Sequence, residues 1–176
     1  GYADEMELVG SRTETSKTYL AEDGRKVAIV SPMPIHYLDD DGAWNEIDLN
    51  IESSPYGWEV TENLFSTEFS VDVNRGVSVV VDDNIDPILT GLNPTVVTIS
   101  SRGGDAPMLY QLDKPGESTQ VGANVIRYPL GEGVSLDYEV TSTQLKQNLV
   151  IRDMPYFEDG FNGWFGLAEE MILPEG

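Results

Sequence analysis

Apolar and polar residues alternate along much of this chain with the period of two that is typical of a half-buried β-strand. In residues 68–73, for example, Phe69, Val71 and Val73 fall on one face and polar residues fall on the other. Comparable runs, rich in Val, Ile, Thr and aromatic residues, occur at 27–30, 44–49, 77–81, 95–100, 108–112, 124–128, 134–141 and 144–151. The pattern predicts about ten to twelve short strands, which is typical of a sandwich or barrel rather than of alternating strands and helices.

Helical periodicity is almost absent, and the turn residues support the same fold class. Residues 167–173 could form one or two helical turns, but Gly166 and Pro174 bracket them so tightly that a strand is an equal alternative. Asp-Gly pairs at 23–24 and 41–42 predict tight turns. We therefore predict an all-β fold with an antiparallel β-sandwich or barrel-like arrangement.

The chain divides into a polar N-terminal segment and one larger β domain. Residues 1–20 are predicted to be an extended segment or an edge strand, in which Tyr2, Met6 and Leu8 alternate weakly with their neighbours. These three residues could form an assembly strand that adds to a neighbouring subunit, or the first edge strand of their own domain. Residues 21–176 are predicted to be a single domain, with a soft boundary near the acidic segment 82–94.

Charge and composition exclude several classes of function. Of the 176 residues, 31 are acidic and 10 are basic, so the formal charge is −21 at pH 7. This charge repels nucleic-acid phosphates and anionic lipid headgroups, so we expect no nucleic-acid partner and no membrane insertion. The chain has no cysteine and one histidine, which excludes disulfides, thiolate metal sites and two-histidine metal sites. It begins with Gly1 rather than methionine, so we expect a processed product or an excised fragment.

Clustered carboxylates raise the hypothesis of a calcium site, the one cofactor that the sequence suggests. Asp39, Asp41 and Glu46 lie around a predicted turn, and calcium prefers several oxygen ligands. An EF-hand register fails, because it would place Tyr37 at the first ligand position. The alternative is a solvated hairpin turn in an acidic protein, and the acidic cluster at 82–86 presents the same two alternatives.

Candidate catalytic residues do not assemble into a recognisable site. His36 could act as a general base, but no Gly-x-Ser-x-Gly motif supplies a nucleophile, and its neighbours predict a packed strand residue. The many acidic residues allow a glycosidase-type carboxylate pair without identifying one. We therefore predict that the protein is not an enzyme and keep a glycan-active enzyme as a third interpretation.

The C-terminal stretch 156–165 is unusually rich in aromatic residues. Flat rings flanked by Asp and Asn suit stacking on sugar rings or anchoring a protein partner. The alternative is that the rings close the core of the β structure. The predicted ligand or partner surface consists of Tyr156, Phe157, Phe161, Trp164 and Phe165.

Several phrases occur in an order that resembles the β-rich module ahead of the YD repeats in RHS-type, cell-wall-associated bacterial surface proteins. They are RTETSKTY at 12–19, PIHY at 34–37, DGAWNEID at 41–48, IRY at 126–128, VSLDYEV at 134–140 and LKQNLVI at 145–151. The resemblance implies a secreted or cell-surface, non-catalytic β module, and it carries no catalytic residues to transfer.

These observations together predict a non-catalytic extracellular structural or interaction module of a surface protein. The expected partners are copies of itself, as in a self-assembling fibre, or other surface proteins. The alternative is a carbohydrate-binding module that uses the aromatic C-terminal stretch to bind a glycan. Because divalent ions screen repulsion between acidic surfaces, we also predict that calcium favours association.

Overall fold

Antiparallel β-strands form most of the regular structure of this chain. A computed structural model describes residues 6–100, 108–110, 116–131, 133–153 and 163–174. Short 3₁₀ helices lie at Val9–Ser11 and Val73–Arg75. The strands are β1 Ser16–Leu20, β2 Lys26–Val30, β3 His36–Leu38, β4 Trp44–Glu46, β5 Glu52–Ser54, β6 Gly57–Val60, β7 Ser66–Ser70, β8 Val77–Val80, β9 Ile88–Ser100, β10 Met108–Tyr110, β11 Thr119–Gly122, β12 Val125–Gly131, β13 Val134–Val140, β14 Leu145–Ile151 and β15 Gly163–Ile172. The predicted all-β fold is confirmed.

The N-terminal part consists of two hairpins that backbone hydrogen bonds hold together. β1 pairs with β2 around the turn at 23–24, and β3 pairs with β4 around the turn at 41–42. The two turn glycines have φ of 82° and 78°, a conformation that residues with a side chain rarely adopt. The backbone N–H of His36 donates to the carbonyl of Glu14 over 3.1 Å, so the second hairpin is tied to the start of the first.

The larger sheet contains seven strands. Its order is β10-β9-β8-β7-β6-β5, and β15 also pairs with β9. Val96 and Val97 of β9 have partners in both β10 and β15, so these two strands must lie on opposite edges of β9. No strand in the described part of the chain pairs with the other side of β15, which makes it an edge strand there.

A smaller sheet packs on one face of the larger one. Its order is β11-β12-β13-β14, and β12 alternates between fully buried and half-buried residues, because one of its faces covers the core. The resulting two-layer packing is that of a β-sandwich. The core cluster includes Val60, Phe69, Val77 and Val96 from the larger sheet and Ile126, Tyr128, Leu130, Val134, Leu136, Tyr138 and Val140 from the smaller sheet.

Two tyrosines occupy the centre of this core. The rings of Tyr128 and Tyr138 meet edge to face with centroids 5.3 Å apart, and Phe69 from the opposite sheet lies 6.2 Å from Tyr138. Their hydroxyls are satisfied, because Tyr128 donates to the Gly76 carbonyl over 3.1 Å and Tyr138 accepts from Gln147 over 2.9 Å. Burial raises the pKa of both phenols well above the ordinary value.

Residues 167–173, for which a helical turn and a strand were equal alternatives, lie mostly in β15. The structure differs from the predicted strands at several other places. β7 ends at Ser70, so Val71, predicted to share the buried face of Phe69, is exposed. Strands β5, β6 and β11 were not predicted, and β9 begins at Ile88 rather than near Thr95. β5 consists of Glu and Ser and has no apolar residue to mark a buried face. The acidic residues 82–87 connect β8 to β9, which are neighbours in one sheet.

Candidate functional site

Strand β15 presents the longest edge among the described strands. One side of β15 pairs with β9 from Gly163, opposite Ser100, to Ile172, opposite Leu89. No described strand pairs with its other side. Such an edge exposes a row of backbone N–H and C=O groups that can pair with another chain.

The side chains of β15 alternate between the core and the outer face of the sheet. Phe165 and Leu167 pack against the core, which is the alternative that the sequence offered for the aromatic residues. Trp164 points the other way and is 76% exposed, as a partner surface requires. Ile172 is also exposed at the far end of the strand. The other predicted aromatic residues of this surface, Tyr156, Phe157 and Phe161, lie outside the described residues.

Polar contacts on the inner side anchor β15 to the smaller sheet. The Gln147 side chain in β14 donates to Glu169 Oε2 over 2.6 Å and to the Tyr138 hydroxyl over 2.9 Å. One amide thus connects the edge strand to a buried core tyrosine. The edge strand is consequently held in place before any partner arrives, which reduces the entropy cost of pairing.

The predicted assembly strand is only partly described, since Tyr2 lies outside the described residues. Met6 and Leu8 are half-buried, and the Leu8 N–H donates to the Thr18 carbonyl over 2.7 Å. Glu7 forms an antiparallel bridge with Tyr19. This segment therefore pairs with β1 of its own chain, and its role in assembly stays a prediction.

Two of the three predicted calcium ligands, Asp39 and Glu46, have other partners. Asp39 accepts backbone hydrogen bonds from Asp41 and Ala43, at 3.0 and 2.8 Å, and a side-chain hydrogen bond from Asn45. The bond from Ala43, together with the others, lowers the pKa of Asp39. Glu46 lies in a different cluster, and the described part of the chain contains no group of three Asp, Glu or His residues placed to hold a metal ion. Calcium binding stays a prediction.

Glu46 belongs to an ion-pair cluster that joins the two N-terminal hairpins. Its Oε1 lies 2.5 Å from Lys17 Nζ and 3.1 Å from Arg12 Nη2. Arg12 also forms a two-pronged pair with Glu7, whose side chain is only 4% exposed. The Arg12 hydrogen bond lowers the pKa of Glu7. With two acidic and two basic residues, the cluster balances its own charges.

His36 is a packed strand residue, as its neighbours predicted. Its side chain is fully buried, and its Nδ1 lies 2.6 Å from the Thr13 carbonyl, to which it donates. Nε2 has no hydrogen-bond partner among the described residues. Because the ring has no access to solvent, it does not resemble an exposed general base.

A row of like charges crosses the outer face of the larger sheet. The strand registers place Glu59 directly opposite both Glu52 and Glu68. None of the three glutamates has a cationic partner within the described residues. The sequence analysis did not predict this row because its glutamates lie on three different strands. A hairpin predicted at 55–56 would have placed Glu52 opposite Glu59. The full row is Glu52, Glu59, Glu68, Ser78, Leu89 and Ile172.

The part of the chain that the structure describes includes no helix with the length and hydropathy needed to cross a bilayer.

Comparisons with known proteins identify no relative of this chain. No family model matches the chain, and neither a curated protein nor a solved structure matches it. The proposals below therefore depend on the residues and their geometry.

Proposed function

We propose that this chain is a non-catalytic extracellular interaction module that pairs with a second copy of itself through the edge of β15. The observation that carries the proposal is a ten-residue strand with an exposed tryptophan, paired with β9 on one side and with no described strand on the other. The extracellular setting is supported by the resemblance to the surface-protein module. Edge pairing is a common way for one β domain to bind another.

The sequence of β15 suits antiparallel pairing with an identical strand. If Ala168 lies on the two-fold axis, Trp164 of one copy faces Ile172 of the other on the outer face. In the same register Glu170 faces Gly166, so no glutamate opposes another glutamate across the interface. Small residues at the centre allow the two backbones to approach, and the apolar residues cover both ends. A two-fold axis makes both halves of such an interface identical.

A covalent trap tests this register directly. Paired residues in antiparallel strands have Cα atoms roughly 4.5–5.5 Å apart, which is within the range of a disulfide. The chain has no cysteine, so an Ala168→Cys variant contains a single thiol. We expect it to oxidise rapidly to a disulfide-linked dimer, whereas Thr143→Cys, in an exposed turn, should not.

A charge substitution at the same position supplies the second test. Ala168→Lys places two ammonium groups against each other across the proposed axis, so it should abolish the dimer in light scattering or sedimentation. Thr143→Lys changes the net charge equally and should leave the dimer intact or strengthen it. A wild-type protein that stays monomeric at every concentration, together with no crosslinking of Ala168→Cys, would refute self-pairing.

Ionic conditions should control the association. Each copy carries a formal charge of −21, so two copies repel each other at low salt. We expect millimolar calcium or high salt to favour the dimer and EDTA to reverse the calcium effect. If neither salt nor calcium changes the association, the screening argument is wrong, but the register test with Ala168→Cys is unaffected.

Filaments would need a second contact, because a two-fold interface closes on itself. The segment with Met6 and Leu8 is the candidate for that contact. Negative-stain electron microscopy with and without calcium would distinguish a fibre subunit, which forms regular filaments, from a module that stops at the dimer.

The exposed ring of Trp164 favours glycan binding as the second candidate function. A flat aromatic face at the surface can stack on a sugar ring. Titration of soluble glycans against tryptophan fluorescence would test it. If the fluorescence change on glycan addition persists in Trp164→Ala, Trp164 is not the residue on which the sugar stacks.

A further inference from the structure

The outer face of the larger sheet contains a depression with a volume of about 520 Å³. This volume is in the range of small-molecule binding clefts, roughly 300–1,000 Å³. The depression lies on the opposite face of the sheet from the core. The lining residues that matter for its chemistry are Tyr56, Glu68, Ser70, Asp72, Arg75 and Ser78.

Two turns that are hydrogen-bonded to each other build the rim. The N–H of Val71 donates to the Tyr56 carbonyl over 3.1 Å, which joins the turn between β5 and β6 to the segment after β7. The Ser54 hydroxyl accepts the N–H of Tyr56, and the Asp72 carboxylate accepts the N–H of Asn74. These bonds fix the backbone of both rim turns before a ligand binds, which lowers the entropy cost of binding.

A glycine at the border of the depression allows two segments of the chain to pack closely. Gly76 has φ of 65°, and a Cβ there would lie 2.1 Å from the Thr90 carbonyl oxygen. The chain can therefore approach β9 closely only without a side chain at this position.

The rim offers a ring for stacking, a donor and acceptors, and of these the side chains of Tyr56, Arg75 and Glu68 make no hydrogen bond within the described residues. Tyr56 is 70% exposed. The Arg75 side chain is 77% exposed, and its nearest carboxylate, Asp72 Oδ2, lies 3.9 Å away, which is beyond hydrogen-bond distance. Glu68 is half-buried, and its carboxylate makes no hydrogen bond within the described residues. Ser78, the next residue in the same row, is also half-buried.

This combination of groups selects the class of ligand. The depression contains two carboxylates and only one guanidinium, so it disfavours an anionic ligand. The strongly negative net charge of the chain adds to this repulsion. A purely apolar ligand would remove water from Arg75, Glu68 and Asp72 without replacing their hydrogen bonds. A neutral polyhydroxylated ring offers donors to the carboxylates, acceptors to the guanidinium and a C–H face to the tyrosine.

We infer that this depression is a binding site for a neutral saccharide, with one sugar ring stacked on Tyr56 and its hydroxyls bonded to Arg75, Asp72 and Glu68. The site is separate from the exposed aromatic ring of Trp164 at the other end of β15. It does not depend on self-pairing, although Leu89 at its border is paired with Ile172.

The test is a titration of the full chain with a panel of neutral cello-, malto-, xylo-, manno- and chito-oligosaccharides, followed by backbone and arginine side-chain NMR shifts. We expect at least one sugar to shift the signals of Val71, Asp72 and Arg75. Tyr56→Ala and Arg75→Gln should each weaken binding about tenfold or more. Tyr56→Phe keeps the ring and should retain most of the affinity, and Trp164→Ala should be neutral.

Three outcomes would overturn the inference. The first is no shift at these residues with any sugar in the panel. The second is binding that Trp164→Ala abolishes and Tyr56→Ala leaves intact. The third is a tri-lysine peptide that shifts the same residues when no sugar does, which would make the site a cation-binding surface. Repeating the titration on Ala168→Lys separates this result from the fate of the dimer, and unchanged thermal unfolding of each variant excludes a folding defect.

Discussion

Neutralising the middle glutamate of the acidic row should stabilise the fold. Glu59 lies directly opposite Glu52 on one side and Glu68 on the other, and no described cation offsets them. Like charges directly opposite each other in a sheet are destabilising. Glu59→Gln keeps the shape and nearly the same side-chain length while it removes both repulsive pairs.

The size of the effect follows from the separation of the charges. Two carboxylates about 6 Å apart in water repel by roughly 0.7 kcal/mol, and physiological salt reduces this to about 0.3 kcal/mol. With two neighbours, Glu59→Gln should raise the free energy of unfolding by about 1.4 kcal/mol at low salt and about 0.6 kcal/mol at physiological salt. Glu59→Lys should raise it further, because attraction replaces repulsion.

Urea unfolding at low and high salt measures these differences. Glu22→Gln is the matched control, because it changes the net charge equally in an exposed turn that contains no such row. The reasoning fails if Glu59→Gln is no more stable than Glu22→Gln at low salt. It also fails if the gain is the same at both salt concentrations, since a repulsion between exposed charges must be screened.

Three further predictions concern the fold. Glu7→Gln should lower the free energy of unfolding by roughly 1.5–3 kcal/mol near neutral pH, because it breaks a charged hydrogen bond to Arg12. Since that bond lowers the folded-state pKa of Glu7 below the ordinary 4.5, its stabilisation is present above this pH and is lost as pH falls through the folded value, so unfolding curves of wild type and variant should converge in acid. Tyr128→Phe should lower the free energy of unfolding in urea by roughly 0.5–1.5 kcal/mol, because it removes a buried hydrogen bond and leaves the Gly76 carbonyl with only the longer bond from the Ser70 N–H. Burial raises the pKa of Tyr128 above 10.0, so wild-type stability should decline as pH rises past that value, and absorbance should show its ionisation only upon unfolding. Gly76→Ala should destabilise the fold by roughly 2–4 kcal/mol through its clash with Thr90, and a calorimetric midpoint equal to that of wild type would contradict this geometry.

Much of the fold was predictable because the chain alternates with a clear period of two. Phe69, Leu136 and Tyr138 are buried on the faces that their alternation indicated. The prediction that Val71 is buried was wrong, because alternation does not reveal where a strand ends. The backbone N–H of Asp72 donates to the Ser70 hydroxyl, and this hydrogen bond helps to turn the chain after β7. The candidate site was only half predictable. Trp164 is exposed, whereas Phe165 beside it packs on the core, since adjacent strand residues point to opposite faces, and the partner surface itself stays a prediction.

The amino-acid sequence by itself determined the fold class, the Asp-Gly turns, the net charge and the absence of thiol chemistry, because each depends on residue type or on short-range order. Tertiary structure decided everything that depends on which strands are neighbours. It aligned Glu52, Glu59 and Glu68 in one row, placed Tyr56 and Arg75 around one depression, and left β15 at an edge. Strand pairing joins residues that are distant in sequence, and its register is set by the packing of the whole core rather than by any local pattern.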